Sequence, residues 1–292
     1  MKIFLIDHNQ VLGDIKKEFE ITNKIEDADA VILWNDVLPF ERSIINLARS
    51  LGKKTFVIQH GRWGSSRYFP PFNEKIQVDK LLVWGDFDKR ALIEAGQDSK
   101  KIEVIGTTIF SRLKPRIKHK GINIVYFPEH WDRPVEENIQ VRNELRKLKG
   151  VNIITKLIDS PSHDPKHFDN VIYSNRDDDN HIDICASVLS TADIVVGVSE
   201  STFGLLAQSL DIPVVIMEEW EPKAFGGDMR YVEGYKRNIS PAAKRATMKT
   251  LLETIKQQLK NPEELKEERK QVCVDEGGIN LDTLALIRRL VG

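Results

Sequence analysis

Cysteine is nearly missing from this chain: Cys185 and Cys273 are the only two among 292 residues. Two isolated cysteines build neither a disulfide framework nor a Cys-rich zinc site. A reducing, cytoplasmic compartment is the expectation. Long apolar runs are lacking as well. No stretch reaches the ~18 residues of a membrane-spanning helix. The opening MKIFLIDHNQ has one lysine, a short apolar strand and then polar residues, which is not the pattern of a secretory signal. An excess of one charge is also absent, with 43 Lys and Arg against 44 Asp and Glu. That excludes a generally basic nucleic-acid binder but leaves a local basic patch open. No GxxxxGK[ST] and no GxGxxG occurs. The run Ser199–Thr202 does not match a GxSxG nucleophile elbow, which argues against serine hydrolysis. No short-period repeat is present. With 41% hydrophobic and 30% charged residues, the balance is that of a soluble globular protein.

What is present is an alternation of short β-rich runs with helical stretches. Lys2–Ile6, Ala30–Trp34, Thr55–Gln59, Lys80–Trp84 and Lys101–Ile105 read as strands. Glu41–Leu51 places Ile44, Ile45, Leu47, Ala48 and Leu51 at helical spacing, and Gly52 follows as a stop. Phe87–Ala95 reads as a helix ended by Gly96. Strand, helix and strand in succession predict a parallel sheet covered by helices.

The pattern pauses at Thr107–Gly121, where Arg112, Lys114, Arg116, Lys118 and Lys120 surround Pro115. Its weak periodicity reads as a solvated linker, with a phosphate- or membrane-facing patch as the other reading. A second alternating set follows. Strands are expected at Ile122–Phe127, Val151–Lys156, Asn170–Tyr173, Asp193–Val198 and Pro213–Met217, with helices near Val135–Leu148, Ile182–Thr191 and Ser201–Leu210. A helix over Ala242–Leu259, a charged stretch at Pro262–Lys270 and an amphipathic helix near Leu281–Leu290 complete the chain. The expected fold class is α/β: two Rossmann-like doubly wound parallel-sheet domains facing a cleft, with C-terminal helices. The expected boundaries are residues 1–110 for the first domain, 111–121 for the linker and 122–270 for the second domain. Residues 271–292 form a helical end expected to pack back on the first.

In open α/β sheets, ligands bind at the carboxyl ends of the strands. Asp7 and His8 follow the first strand, and Asn35 and Asp36 the second. His60, Gly61 and Arg62 follow TFVIQ, a combination suited to proton transfer and anion contact. The competing reading for His60 is a hydrogen bonder in a polar turn. In the second set, Glu129, His130 and Arg133 follow INIVYF, and Lys156 ends VNIITK. Ser199, Glu200, Ser201 and Thr202 follow DIVVGV and open a helix. Hydroxyls there either cap the helix or, with its free N–H groups, receive a phosphate. Glu218 and Glu219 follow PVVIM, where a carboxylate can accept the hydroxyls of a ribose or simply form an acidic turn. Three other signals carry less. Asp177–Asp179 precede a helix, whose dipole they favour without a metal. His163 and His167 have Pro165 between them, which breaks a regular i, i+4 pair. Cys185 lies among Ile182, Ile184 and Val188 and reads as core.

The runs TFVIQHG at 55–61, LLVWGDFDKRALIEAG with KIEVIGTTIF across 81–110, IVYFPEH at 124–130 and TADIVVGVSESTFGLLAQSLDIPVVIME at 191–218 resemble glycosyltransferases of the two-Rossmann (GT-B) type. Within that type they are similar to capsule and cell-wall polymer enzymes, namely the CDP-glycerol glycerophosphotransferase-like and Kdo- or sialyl-transferring groups. They are distantly similar to UDP-N-acetylglucosamine 2-epimerases. The resemblance implies a nucleotide-sugar donor on the second domain, with Ser199–Thr202 at its phosphate, Glu219 at its ribose, and Arg133 and Lys156 meeting the charge of the departing nucleotide. It implies a saccharide or glycolipid acceptor on the first domain, deprotonated by His60, or failing that His8 or Asp36. It implies no cofactor and no metal, because helix dipole and basic side chains do that work. It implies no nucleic-acid partner, and it leaves a peripheral membrane contact open. The Lys-x-His-Pro usual in phosphotransferase-type members is replaced by Lys156-Leu157-Ile158-Asp159, without the histidine, which weakens the glycerophosphotransferase reading.

Overall fold

The computed structural model describes residues 1–6, 13–59, 74–107, 109, 112–128, 135–159, 163–175, 180–197, 202–217, 242–275 and 282–292. They fall into two compact units. One holds the described residues of Met1–Ser111 and Val274–Gly292, and the other those of Arg112–Val232 and Ile239–Cys273.

The first unit contains β1 (Lys2–Leu5), α1 (Gly13–Glu18), β2 (Glu20–Thr22), β3 (Ala30–Leu33), α2 (Pro39–Ser50), β4 (Lys54–Ile58), β5 (Lys80–Val83), α3 (Asp86–Glu94) and β6 (Ile102–Val104). Its sheet has the order β2-β1-β3-β4-β5-β6, with every neighbour parallel. All four residues of β3 are buried, as expected for a strand covered on both faces. On one face Val31, Leu33 and Val57 pack with Ile45 and Ala48 of α2 and Leu92 of α3. On the other, Ile3, Ile32, Phe56 and Ile58 pack with Ile15 of α1 and with Ile287 and Val291. Those last two belong to the helix Thr283–Val291, the ninth and last α-helix among the described residues, so the chain's end completes this core. Asp282 caps it by accepting the Ala285 N–H at 3.0 Å. Lys54 Nζ reaches the Leu290 and Val291 carbonyls, both at 3.3 Å, where a cation suits a helix C-terminus.

The second unit contains β7 (Ile122–Phe127), α4 (Val135–Leu145), β8 (Val151–Leu157), β9 (Val171–Tyr173), α5 (His181–Ser190), β10 (Ile194–Gly197), α6 (Thr202–Ser209), β11 (Val214–Met217), β12 (Ala243–Ala246), α7 (Leu251–Lys260) and α8 (Lys266–Asp275). The sheet order is β12-β11-β10-β7-β8-β9, again all parallel. Ile124, Tyr126, Ile153 and Val196 pack under Val141 and Leu145 of α4 and Leu251 and Ile255 of α7.

Several expectations are revised. The predicted helix Ala242–Leu259 is a strand followed by a shorter helix, because Ala243–Ala246 pairs in register with Val214–Met217. Alanine favours helix locally, but burial of Ala243 and Ala246 against the sheet overrides it. The charged stretch Pro262–Lys270 runs into α8, where Arg269, almost fully buried, binds Asp211 at 2.7 Å and the carbonyls of Glu264 and Pro262. The short α1 and β2 carry too few residues to show periodicity. The basic segment after residue 111 clusters with the second unit. Ile117 donates its N–H to Ser190, and Arg116 binds the Ala192 carbonyl.

Candidate functional site

Each sheet has one point where successive connections leave in opposite directions. In the first it lies between β1 and β3, and in the second between β7 and β10. The carboxyl ends flanking such a point are where open α/β sheets bind ligands.

In the second unit, the end of β7 is joined to the start of α6. The Phe127 and Phe203 rings stack with centroids 4.7 Å apart and planes 8° apart. Phe127 is the last residue of β7 and Phe203 the second of α6, so the stack fixes the N-terminal turn of α6 beside the strand end. Thr202 opens that turn. The turn's free N–H groups and helix dipole form an anion-compatible end.

One strand further out, Lys156 is fully buried on β8. Its Nζ donates to the Leu157 carbonyl at 2.6 Å. Burial lowers its pKa below the ordinary lysine value, opposed by the nearby Cys185. Burial likewise pushes the Cys185 thiol up to about 11, opposed by Lys156. Such a thiol stays protonated and unreactive near neutrality. His181, the first residue of α5, extends this cluster: Nδ1 lies 2.8 Å from Ser174 Oγ and Nε2 3.7 Å from Cys185 Sγ. The cluster thus lies at the ends of β8 and β9 and the start of α5.

In the first unit, Asn35 and Asp36 follow β3 at the switch point. Asn35 Oδ1 accepts the N–H groups of Val37 and Leu38, each at 3.1 Å, and its amide donates to the buried Glu41. Asp36 is fully buried, and its Oδ2 accepts the N–H groups of Gln77 at 2.6 Å and Val78 at 3.3 Å. These bonds clamp the 77–78 strand entry and occupy acceptor capacity that a general base needs. At the end of β4, Gln59 is the centre of a buried network. Its amide donates to Asp88 Oδ2 at 2.9 Å, its Oε1 accepts the Trp84 N–H at 2.9 Å, and its carbonyl accepts the Trp84 indole at 2.8 Å. The residue after Gln59 is His60.

Of the site residues read from sequence, Asp36, Lys156 and Thr202 are described, the first in one unit and the other two in the other. Thr202 flanks the switch point of the second sheet, Lys156 lies one strand away from β7, and Asp36 belongs to the first unit. His8, His60, Glu129, His130, Arg133, Ser199, Glu200, Ser201 and Glu219 lie outside the described residues, as does Asp177–Asp179. His163 is buried with its ring Nδ1 against the Ile158 backbone, and His167 sits 3.8 Å from Asp164, so the two serve separate contacts. The Gln59–Trp84–Asp88 network and the Ser174–His181–Cys185 row went unread in the sequence. Gln59 looked like the last residue of a strand, and only its neighbour's chemistry stood out.

No known protein-family profile matches the chain, and no curated protein does. Solved structures do match. A putative UDP-N-acetylglucosamine 2-epimerase from Listeria monocytogenes superposes with a TM-score of 0.61 at 14% identity, over 99% of this chain and 94% of that one. The wall teichoic acid polymerase TagF, in a structure soaked with CDPG, gives 0.60 at 13% identity over 100% and 88%. A glycosyltransferase from Rickettsia africae gives 0.53 at 15% identity over 99% and 89%. The chain therefore has the two-sheet α/β fold of these enzymes, which is the fold class its alternating pattern implied.

Proposed function

We propose that the protein is a nucleotide-sugar-dependent glycosyltransferase of surface polysaccharide or glycoconjugate synthesis. One observation carries this reading. Two all-parallel six-stranded sheets, each with its own switch point, superpose over nearly the whole chain on a glycosyltransferase and on a wall-polymer polymerase.

In this reading the second unit holds the donor. The N-terminal turn of α6, with Ser199–Thr202, receives the donor phosphate, and the Phe127–Phe203 stack holds that turn in place. Glu219 accepts the ribose hydroxyls. Arg133 neutralises the charge of the departing nucleotide phosphate. Lys156, being buried, contributes its charge through the protein interior rather than by solvent-side contact. The acceptor hydroxyl attacks the anomeric carbon while the bond from that carbon to the nucleotide phosphate oxygen breaks. The hydroxyl proton passes to His60, or otherwise to His8, and the nucleotide leaves with the electron pair. Asp36, already holding two backbone N–H groups, is the least suited of the three bases. Helix dipole and basic side chains meet the developing charge without a metal. The chain works in the cytoplasm; among the described residues no helix is long and apolar enough to cross a membrane.

A second reading, a nucleotide-sugar 2-epimerase or a CDP-alcohol phosphotransferase, is supported by the superpositions on the Listeria protein and on TagF. A third is a nucleotide-sugar binder without turnover. A thermal-shift screen against UDP, CDP, GDP, CMP and their sugars, followed by turnover assays on the hits, separates them. Sugar transfer to a saccharide supports the proposal. Isomerisation without acceptor, transfer of an alcohol phosphate to the acceptor with release of CMP, or binding with no turnover each overturns it in favour of the corresponding reading.

A further inference from the structure

Residues 112–120 carry Arg112, Lys114, Arg116, Lys118 and Lys120 and no acidic residue. Part of this charge has a structural purpose. Lys114 donates to Ser187 Oγ at 2.7 Å, Arg116 to the Ala192 carbonyl at 3.0 Å, and Arg116 and His119 both lie beside Asp193. These contacts satisfy the C-terminal end of α5, where cations complement the helix dipole. Lys118 and Lys120 are exposed and have no such contact among the described residues. Flanking them stand two exposed apolar side chains, Ile117 at 57% and Ile122 at 37% exposure. Ile122 pairs with Val151, so the exposed Lys149, two residues before β8, shares the same edge.

We infer that this edge, made of Lys118, Lys120, Lys149, Ile117 and Ile122, is a contact surface for an anionic lipid bilayer. Lysines of this kind are attracted to anionic headgroups. Exposed isoleucines gain free energy only where an apolar phase is available, which a soluble polyanion does not offer. Residues 111–122 contain no Phe, Tyr or Trp, so the edge also lacks the stacking platform of a single-strand nucleic-acid binder. The edge lies at the strand N-termini of the second sheet, opposite the carboxyl ends assigned to the donor. Lipid contact and nucleotide binding are therefore separable properties.

The test is co-sedimentation of the full chain with phosphatidylcholine vesicles, with and without phosphatidylglycerol, at low and high salt. Binding is expected only to the anionic vesicles and should weaken with salt. Each lysine near the surface contributes about fivefold, so the Lys118→Gln, Lys120→Gln double variant should lose about 25-fold in partitioning. Ile117→Ser should weaken vesicle binding while leaving binding to soluble polyphosphate unchanged. Unaltered melting and nucleotide shifts serve as the folding control for these exposed positions. Absence of anionic-vesicle binding overturns the inference, and so does insensitivity to the lysine changes. It also fails if Ile117→Ser has no effect while polyphosphate binds through the same lysines, which would mark a polyanion site. Phe40 (63%) and Leu47 (43%) of α2 are also exposed, and loss of binding on Phe40→Ser alone would move the contact there and overturn it equally.

Discussion

The Phe127 ring lies flat on that of Phe203, 4.7 Å between centroids, and so ties the last residue of a central strand to the first turn of the helix beside it. The aromatic pair joins the two elements beside the switch point. A double-mutant cycle with Phe127→Leu and Phe203→Leu should give a coupling of about 0.5–1.5 kcal/mol in urea unfolding. Either single change should also weaken nucleotide binding, because the turn proposed to receive the donor phosphate loses its anchor. A coupling near zero would mean that the two rings are adjacent without supporting one another.

Lys156 and Cys185 predict opposite responses to alkaline pH. Cys185 rises from 9.0 to about 11 on folding, so between those values the unfolded chain loses its proton first and stability falls as pH rises. Over the full window that loss is on the order of 3 kcal/mol, and Cys185→Ala should remove it. Lys156 is lowered from 10.5, so the unfolded chain holds the proton longer and stability rises with pH up to that value. Lys156→Met should remove this rise and leave stability near pH 7 equal or higher, since a buried charge gives way to an apolar side chain. Urea titrations at a series of pH values read both effects.

The Gln59 network supports the backbone that leads into His60. Gln59→Met removes the acceptor of the Trp84 N–H and one hydrogen bond to the buried Asp88, and about 2–4 kcal/mol of stability should be lost. Gln59→Glu places a second carboxylate against Asp88 and should be at least as costly at neutral pH. Less harm at low pH than at high pH would identify repulsion as the cause.

If His60 is the base, His60→Ala should abolish transfer while nucleotide-induced thermal shifts stay as in the parent chain. Full transfer by that variant would return the role to His8. Activity should persist in EDTA, because the proposed charge stabilisation rests on a helix end and basic side chains.

The last helix completes the core of the first unit. Ile287→Ala should therefore cost about 2–5 kcal/mol, although the residue is only five positions from the chain end. A smaller cost in chemical unfolding would show that the helix docks loosely.

The doubly wound plan was legible because parallel strands buried on both faces appear as short apolar runs. AVIL at Ala30–Leu33 and IVVG at Ile194–Gly197 are examples. The helical spacing of Ile45 and Ala48 was equally plain. Ala243–Ala246 was not legible as a strand, because two alanines and two basic residues carry no alternation that outweighs helix propensity. Its state depends on Val214–Met217, some thirty residues away in sequence. At the candidate sites, Thr202 was legible as a helix start after a central strand. The electrostatic coupling of Lys156 to Cys185 and the backbone clamp made by Asp36 were not, since both depend on segments remote in sequence: α5 and residues 77–78.

The sequence by itself determined the class of the protein. Near-neutral charge, two isolated cysteines and alternating βα segments leave little besides a pair of parallel α/β sheets. Tertiary structure decided which strand neighbours which, and with that the two switch points. It also decided that the final helix belongs with the first unit and that residues 112–121 belong with the second. The reason is physical. Periodicity is a local record of which side of an element is buried, whereas strand order and long-range docking depend on how well remote apolar faces fit one another.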